Sequence, residues 1–538
     1  MDFSKEQDVV FNPRDRAHRR KLWVRVAAPD GAYHHVYWRR VAGVLGALAI
    51  AGWLGLAGAA WGYLKFRRSY DGVRYLDLAF YPWRRAAHQA GLGQHYIASG
   101  RAAWERQEYR TAYAFLLAGL ARVPDDVTAR RYVAIIEMRI GRPERAIRTL
   151  SDGLPHARGN LDYAKLLFPL LLDAQEDERL IELARGLLPA GPDAQAFHLF
   201  IALQAATAHY HRGRTGEAER LVSEWKLDRL PEGQLLLARC DWQGGHGEQA
   251  IRRLERAVAA FRKRDDLYVE LVRWHRELGH HDEARRFALM RQFNNPGSPG
   301  ARIDLIHTYR VSGEAAAETR ELAAYLATFA KDQPALVLLA WFAVDTGQPA
   351  LAAQAQSLAR AAGVATPVFD LARAQAFIAA RDYAGALRFI DDAARAAAPD
   401  AEFLASLLGG LRAVALFGDG DTARGQVALG AFLDNPRVRS NDLLLLARLV
   451  RGLGHADAAR RVVARACDRD QRNEAALAEL VRLDAAAGDR AALAANLPRL
   501  LTMRRHHRPT LEATLKSLTE PADEPLRRQI EATLARPN

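Results

Sequence analysis

The sequence predicts an all-α protein, a solenoid of stacked helix-turn-helix repeats tethered by one N-terminal transmembrane helix. Three observations predict it. Gly245, Gly279, Gly313 and Gly347 recur at an interval of 34 residues, and a period of that length marks an array whose core grows by stacking. Leu237, Leu271, Leu305 and Leu339 keep the same interval. From Val41 to Leu64 there is no charged residue, and at about 1.5 Å per residue a helix of that length crosses a hydrocarbon core of roughly 30 Å.

Residues 1–40 read as a flexible basic tail that mixes charge with aromatic residues and has no helical period. Its cluster Arg19, Arg20, Lys21 and Arg25 serves as a topology signal or touches anionic lipid. Residues 41–64 are the membrane helix, flanked by Trp38, Trp61 and Tyr63 and by Arg39, Arg40, Lys65, Arg67 and Arg68 as interfacial anchors. Moving a short tail with nine Lys or Arg across a membrane is unfavourable. The N-terminus is therefore expected in the cytoplasm and the repeats on the far side, the periplasm of a bacterium. The basic residues after the span argue for the opposite orientation. Gly55, Gly58 and Gly62 lie on a stripe of small residues that would let membrane helices pack, including those of a homodimer.

Residues 65–93 read as a helical adaptor, 94–508 as the solenoid with about a dozen units, and 509–538 as a capping helix over its last apolar face. Pro169, inside LLFPLLLDAQ, marks a degenerate unit with a kink in its first helix. Gly turns the chain between the two helices of a unit, and Ala250, Ala284 and Ala352, five residues after their glycines, let the helices meet. Glu318 stands at that position in the remaining unit.

The chain has 538 residues and a formal charge of +13. Residues 1–68 hold twelve Lys or Arg against five Asp or Glu, so +7 of that charge surrounds the apolar segment. This favours a membrane surface as partner and speaks against nucleic acid. Arg outnumbers Lys and Ala is abundant, a composition pointing to a GC-rich bacterial genome. Cys240 and Cys467 are the only cysteines. In a stacked array distance along the chain becomes distance in space, so no disulfide is expected, and two cysteines without CxxC spacing build no zinc site. There is no GxSxG, no HExxH and no Gly-rich phosphate loop after a strand, so neither catalysis nor a cofactor nor a metal is expected. His280, His281, His506 and His507 read as exposed histidines, and a hidden site would have to be built from His209, His211 and His275.

The 34-residue period, with Gly100, Ala112 and Pro124 opening the array and Gly141 with Ala146 continuing it, resembles the tetratricopeptide repeat family over about four fifths of the chain. The family's large aromatic positions are poorly kept: Asp241, His275 and Ala343 stand there, and only Tyr309 fits. The resemblance implies a right-handed superhelix whose first helices line a concave groove. Its groove positions fall on Arg239, Trp242, Arg273, Arg276, His307, Arg310 and Trp341. Such a basic and aromatic strip suits an extended acidic peptide, with guanidinium groups pairing carboxylates. Reversing the charge of Arg273 and Arg276 together is expected to leave the fold intact while weakening capture of that peptide.

The resulting expectation is a non-catalytic, membrane-anchored scaffold for protein partners in bacterial envelope assembly, secretion or polysaccharide export. The alternative is a cytoplasmic-facing regulator that recruits a soluble enzyme to the membrane.

Overall fold

The computed structural model describes residues 22–28, 31–68, 70, 72–364, 366–396, 402–504 and 508–534. The cluster Arg19, Arg20 and Lys21 and the pair His506 and His507 lie outside the described residues. A two-stranded antiparallel ribbon comes first, β1 (Trp23–Ala28) with β2 (Gly31–Val36), Trp23 opposite Val36. It replaces the flexible state expected for this part of the tail. The alternation Val24, Arg25, Val26 is strand chemistry.

Twenty-eight α-helices follow among the described residues. The N-terminal ones are α1 (Trp38–Gly62), continued by a π-helical turn over Tyr63–Arg67, α2 (Tyr75–Ala79), α3 (Tyr81–Glu105), α4 (Tyr109–Leu120), α5 (Val127–Arg139), α6 (Pro143–Gly153) and α7 (Leu161–Asp173). The next ten are α8 (Asp177–Leu187), α9 (Ala196–His211), α10 (Thr215–Glu224), α11 (Pro231–Gln243), α12 (Gly247–Ala260), α13 (Asp265–Glu277), α14 (His281–Asn294), α15 (Pro299–Val311), α16 (Ala315–Phe329) and α17 (Gln333–Asp345). The rest are α18 (Pro349–Ala361), α19 (Pro367–Ala379), α20 (Tyr383–Ala396), α21 (Glu402–Gly418), α22 (Thr422–Asp434), α23 (Ser440–Gly452), α24 (Ala456–Arg469), α25 (Glu474–Ala486), α26 (Arg490–Leu501), α27 (Arg508–Ser517) and α28 (Glu524–Leu534). The boundary drawn at residues 93 and 94 lies inside α3, and α7 runs through Pro169.

Contacts divide the chain into two units, residues 1–170 and 171–538. In the first, α1 packs on α2, and hairpins α3–α4 and α5–α6 stack on one another. Gly100 is the small residue that the close approach of α3 to α4 within the first hairpin requires: a Cβ there would lie 2.7 Å from Leu116. In the second unit α8 packs on α9, each even helix from α10 onward folds back on the odd helix before it, and the odd helices touch one another in sequence from α9 to α11 and from α15 through to α27. Among the even helices comparable contacts are few. A row whose first helices crowd together while its second helices splay is curved with the first helices inside.

The repeat period is written into the corners. Gly279 turns from α13 to α14 at φ +76°, in the left-handed region that an L side chain enters at a cost of about 1–2 kcal/mol. Ala250, Ala284 and Ala352 are buried where paired helices meet. Glu318, the exception, faces Arg310 at 2.9 Å. A second beat of the same interval caps the odd helices: Asp126 and Asn160, then Ser298 and Asp332, each accept a backbone N–H three residues on, at 2.7–3.2 Å. At the C-terminus α27 and α28 bury Leu511 and Ile530 against the last hairpin.

The second unit also closes on itself. Arg504, after α26, donates two hydrogen bonds to Asp177 at the start of α8, at 2.7 and 2.5 Å, and Asp177 is 1% exposed. Arg472 donates to the Ala174 carbonyl at 2.8 Å, and Arg212 donates to the Thr502 carbonyl at 3.0 Å. Residues about 300 apart in sequence are thus in direct contact, which simple end-to-end stacking does not produce. Curvature accumulated over the intervening hairpins brings the late inter-repeat loops onto the early turns. Cys240 and Cys467 are both buried free thiols.

Candidate functional site

The inner rail of odd helices holds all seven residues expected in the groove, and it spends most of their charge internally. Arg239 on α11 donates to Glu270 of α13 at 2.7 and 3.1 Å, and Glu270 also pairs with Arg273. Arg276 is mostly buried, bonded to the Asp304 carboxylate of α15 and at 3.2 Å to the Thr308 hydroxyl. Asp304 in turn accepts from Arg291 at 3.1 Å, and Arg291 holds Asp265 through two bonds of 2.8 and 2.7 Å. Arg310 reaches Glu318 and, at 3.4 Å, the Thr346 carbonyl. These guanidinium groups tie one odd helix to the next. Arg276 is therefore not the surface residue that the charge-reversal expectation assumed, and its reversal reaches into the inter-repeat packing.

The aromatic members divide. Trp242 stacks on the buried Trp274, with centroids 4.6 Å apart and planes 4° from parallel, so it joins two repeats. His307 packs edge-on to Phe342 at 6.2 Å. Burial holds its imidazole below the ordinary range, with Arg276 adding to the effect, and burial raises the nearby Asp345 carboxyl. Trp242 also borders a polar cleft with His246, Glu248 and Arg252, whereas Trp341 opens onto a cavity with mostly apolar walls.

That cavity, of about 430 Å³, is the candidate site. Trp341 of α17, Val368 and Leu371 of α19, Leu407 and Leu411 of α21 and Leu445 of α23 form its wall, so four consecutive inner helices contribute. Phe432 of α22 closes the floor, and Arg439 and Asp442, 3.6 Å apart, stand at one side. The arrangement can take an apolar group and offers one charged pair beside it. It has no nucleophile and base in mutual contact. Apart from Trp341 these residues were missed by sequence reading, although α17 and the Leu404–Gly418 stretch of α21 carried a signal: both are apolar around most of their circumference. A helix apolar all round is a buried one, and most of α17 is covered by its neighbours in this chain.

Among the described residues no group of three His, Cys, Asp or Glu side chains converges to hold a metal. His209, His275 and His307 instead share a physical state, each held below the usual imidazole range chiefly by burial. The unfolded chain protonates these rings near pH 6.5 while the folded chain keeps them neutral to lower pH. Their stability contribution is therefore complete above about pH 6.5 and is lost progressively as the pH falls toward the lowered folded values. Thermal unfolding between pH 7.5 and 5.5 should show a falling midpoint. His275 stacks on Phe287 with planes 9° apart, so His275→Phe is expected to flatten that slope. An unchanged slope in the variant would remove His275 from the account.

On α1, Gly58 faces the Tyr75 ring of α2, where a Cβ would lie 3.8 Å away, while Gly55 and Gly62 have nothing within 4 Å. Part of the small-residue stripe is thus covered by this chain itself. The helix over Trp38–Arg67 is long and apolar enough to cross a membrane.

No family model matches the chain, and no curated protein does. Similar solved structures include a chain of Naa15/Naa10 bound to HypK-THB, at 12% identity and a TM-score of 0.33, over 90% of this chain and 75% of that one. A tetratricopeptide repeat protein from Parabacteroides merdae gives 14% identity and 0.27, over 57% and 98%. A chain of the APC/C hetero-tetramer Cut9-Hcn1 gives 12% and 0.28, over 82% and 84%. Scores this low carry no functional argument. The tetratricopeptide-like fold rests on this chain's own features: paired helices at a 34-residue interval, left-handed corners at Gly245, Gly279, Gly313 and Gly347, and alanines buried between the pairs.

Proposed function

We propose that this protein is a non-catalytic scaffold, anchored in a bacterial inner membrane by α1, that holds an apolar segment of a protein partner against the inner face of its repeats. The observation that carries the reading is the cavity walled by α17, α19, α21 and α23, whose lining is almost wholly apolar although it opens toward solvent. A curved array with its first helices inside gathers side chains from successive repeats, and a buried apolar anchor with a charged rim is the usual energetic centre of a protein interface. The acidic-peptide strip over Arg239 to Arg310 is the weaker site, because a ligand carboxylate would have to displace Glu270, Asp304 or Glu318.

A random peptide library selected on the full chain in detergent tests this. The expected winners carry large apolar side chains and lose about tenfold or more in affinity on Leu371→Glu or Leu445→Glu, since a carboxylate placed in an apolar anchor site costs more than 1.4 kcal/mol. Winners rich in Asp and Glu that respond to Arg273→Glu and ignore Leu371→Glu would overturn it in favour of the basic strip.

The nine basic residues before the uncharged span at Val41 support a cytoplasmic N-terminus, with the repeats in the periplasm serving envelope assembly, secretion or polysaccharide export. Lys65, Arg67, Arg68 and Arg74 favour the second reading, a cytoplasmic-facing regulator that recruits a soluble enzyme. A protease-sensitive tag after Asn538 should be cut in intact spheroplasts. Protection until the membrane is opened would make the second reading the leading one.

A further inference from the structure

The segment after α1 does not lead straight away from it. The chain reverses after the π-helical segment, before α2, and α2 runs back antiparallel to α1: the Trp61 indole N–H donates to the Val73 carbonyl at 3.3 Å, the Tyr75 hydroxyl to the Leu54 carbonyl at 3.1 Å, and the Trp53 indole N–H to the Ala79 carbonyl at 2.6 Å. From Gly62 back to Trp53 is roughly 14 Å along a helix.

The polarity of this corner is inverted relative to a water-facing helix. Asp77 is 9% exposed and turned inward, held by Arg84 at 2.8 Å. Outward stand Leu76 at 55%, Phe80 at 50% and Trp83 at 83% exposure. In water that arrangement exposes three large apolar groups and buries a charge. Beside acyl chains it is the favourable one, because outward groups are apolar, the carboxylate is paired, and two carbonyls near the helix ends accept bonds from indoles. Arg74, exposed beside Val73 at the Trp61 end of the pair, is placed to reach lipid headgroups.

We infer that residues 73–83 re-enter the bilayer alongside α1, with Leu76, Phe80 and Trp83 in contact with lipid, so that the anchor is a helical hairpin and the repeats are seated against the membrane. The inference rests on the reading of α1 as a membrane helix. The partner is the lipid bilayer itself, which a single flexible tether would not engage in this way.

Spin labels on single introduced cysteines test it in the full chain in phosphatidylcholine–phosphatidylglycerol nanodiscs. Native Cys240 and Cys467 are buried, which pushes their thiols up to about 12 and about 11, so they do not compete at neutral pH. Labels at Leu76→Cys, Phe80→Cys and Trp83→Cys are compared with Ala47→Cys in α1 and with Val427→Cys on an exposed face of the repeats. All are exposed positions where a label leaves packing intact. The expected result is that labels at 76, 80 and 83 relax with dissolved oxygen, as at 47, and are shielded from a water-soluble nickel chelate. Nickel accessibility matching 427 at all three, with 47 still shielded, would overturn the inference and leave the anchor in place. Nickel accessibility at 47 as well would overturn the anchor and the inference together.

Discussion

Arg504→Ala is expected to open the closure of the second unit without unfolding its hairpins. Asp177 is almost wholly buried and its carboxylate is held by both bonds from Arg504. Leaving such a charge buried and unpaired costs about 3–5 kcal/mol. The molecule has a cheaper route, because the contact joins loops to turns: parting them returns Asp177 to water at the cost of the Arg472 and Arg212 bonds to carbonyls. Hydrogen exchange should therefore rise sharply at residues 174–178 and 502–504 and remain unchanged in α13 and α15. Asp177→Asn combined with Arg504→Gln removes both charges and should restore part of the protection. Unaltered exchange at 174–178 in Arg504→Ala would mean that the closure is held by something else.

The second large effect separates two neighbouring arginines that the sequence groups together. Arg276→Glu should lower stability by about 3–5 kcal/mol, because it sets a second carboxylate against the mostly covered Asp304 and removes a guanidinium from the chain of ion pairs joining α13, α14 and α15. Arg273→Glu should cost about 1 kcal/mol or less, since its side chain is half exposed and its partners Glu270 and Glu277 can be solvated or paired elsewhere. Urea unfolding of the two single variants gives the comparison. Equal losses would show that the network at Asp304 is not what holds these repeats together. The result also bears on function. A binding defect in the double reversal would report broken packing, so the cavity variants Leu371→Glu and Leu445→Glu are the ones that address the partner.

Legibility differed from one feature to the next for physical reasons. The corners at Gly279 and its equivalents could be read directly, because a left-handed backbone is a local demand that one residue type meets best. The alanines between helices were legible because close approach restricts size at a single position. The 34-residue beat of Asp126, Asn160, Ser298 and Asp332 was equally local and could have placed the start of the odd helices. The ribbon at Trp23–Val36 was missed where short alternation was taken for an unpatterned basic tail.

What the sequence by itself determined is the architecture of each unit: two amphipathic helices, a left-handed corner, a small residue at the contact, and one apolar helix ahead of the array. Each follows from chemistry within a few tens of residues. The tertiary structure decided everything that depends on how repeats lean on one another. It showed that the groove arginines are occupied by Glu270, Asp304 and Glu318, that four inner helices enclose an apolar cavity beside Trp341, and that Arg504 meets Asp177. Those facts hang on the small rotation from one hairpin to the next. A rotation that no single residue encodes becomes, summed over the hairpins of the second unit, the difference between an open row and one whose late loops rest on its early turns.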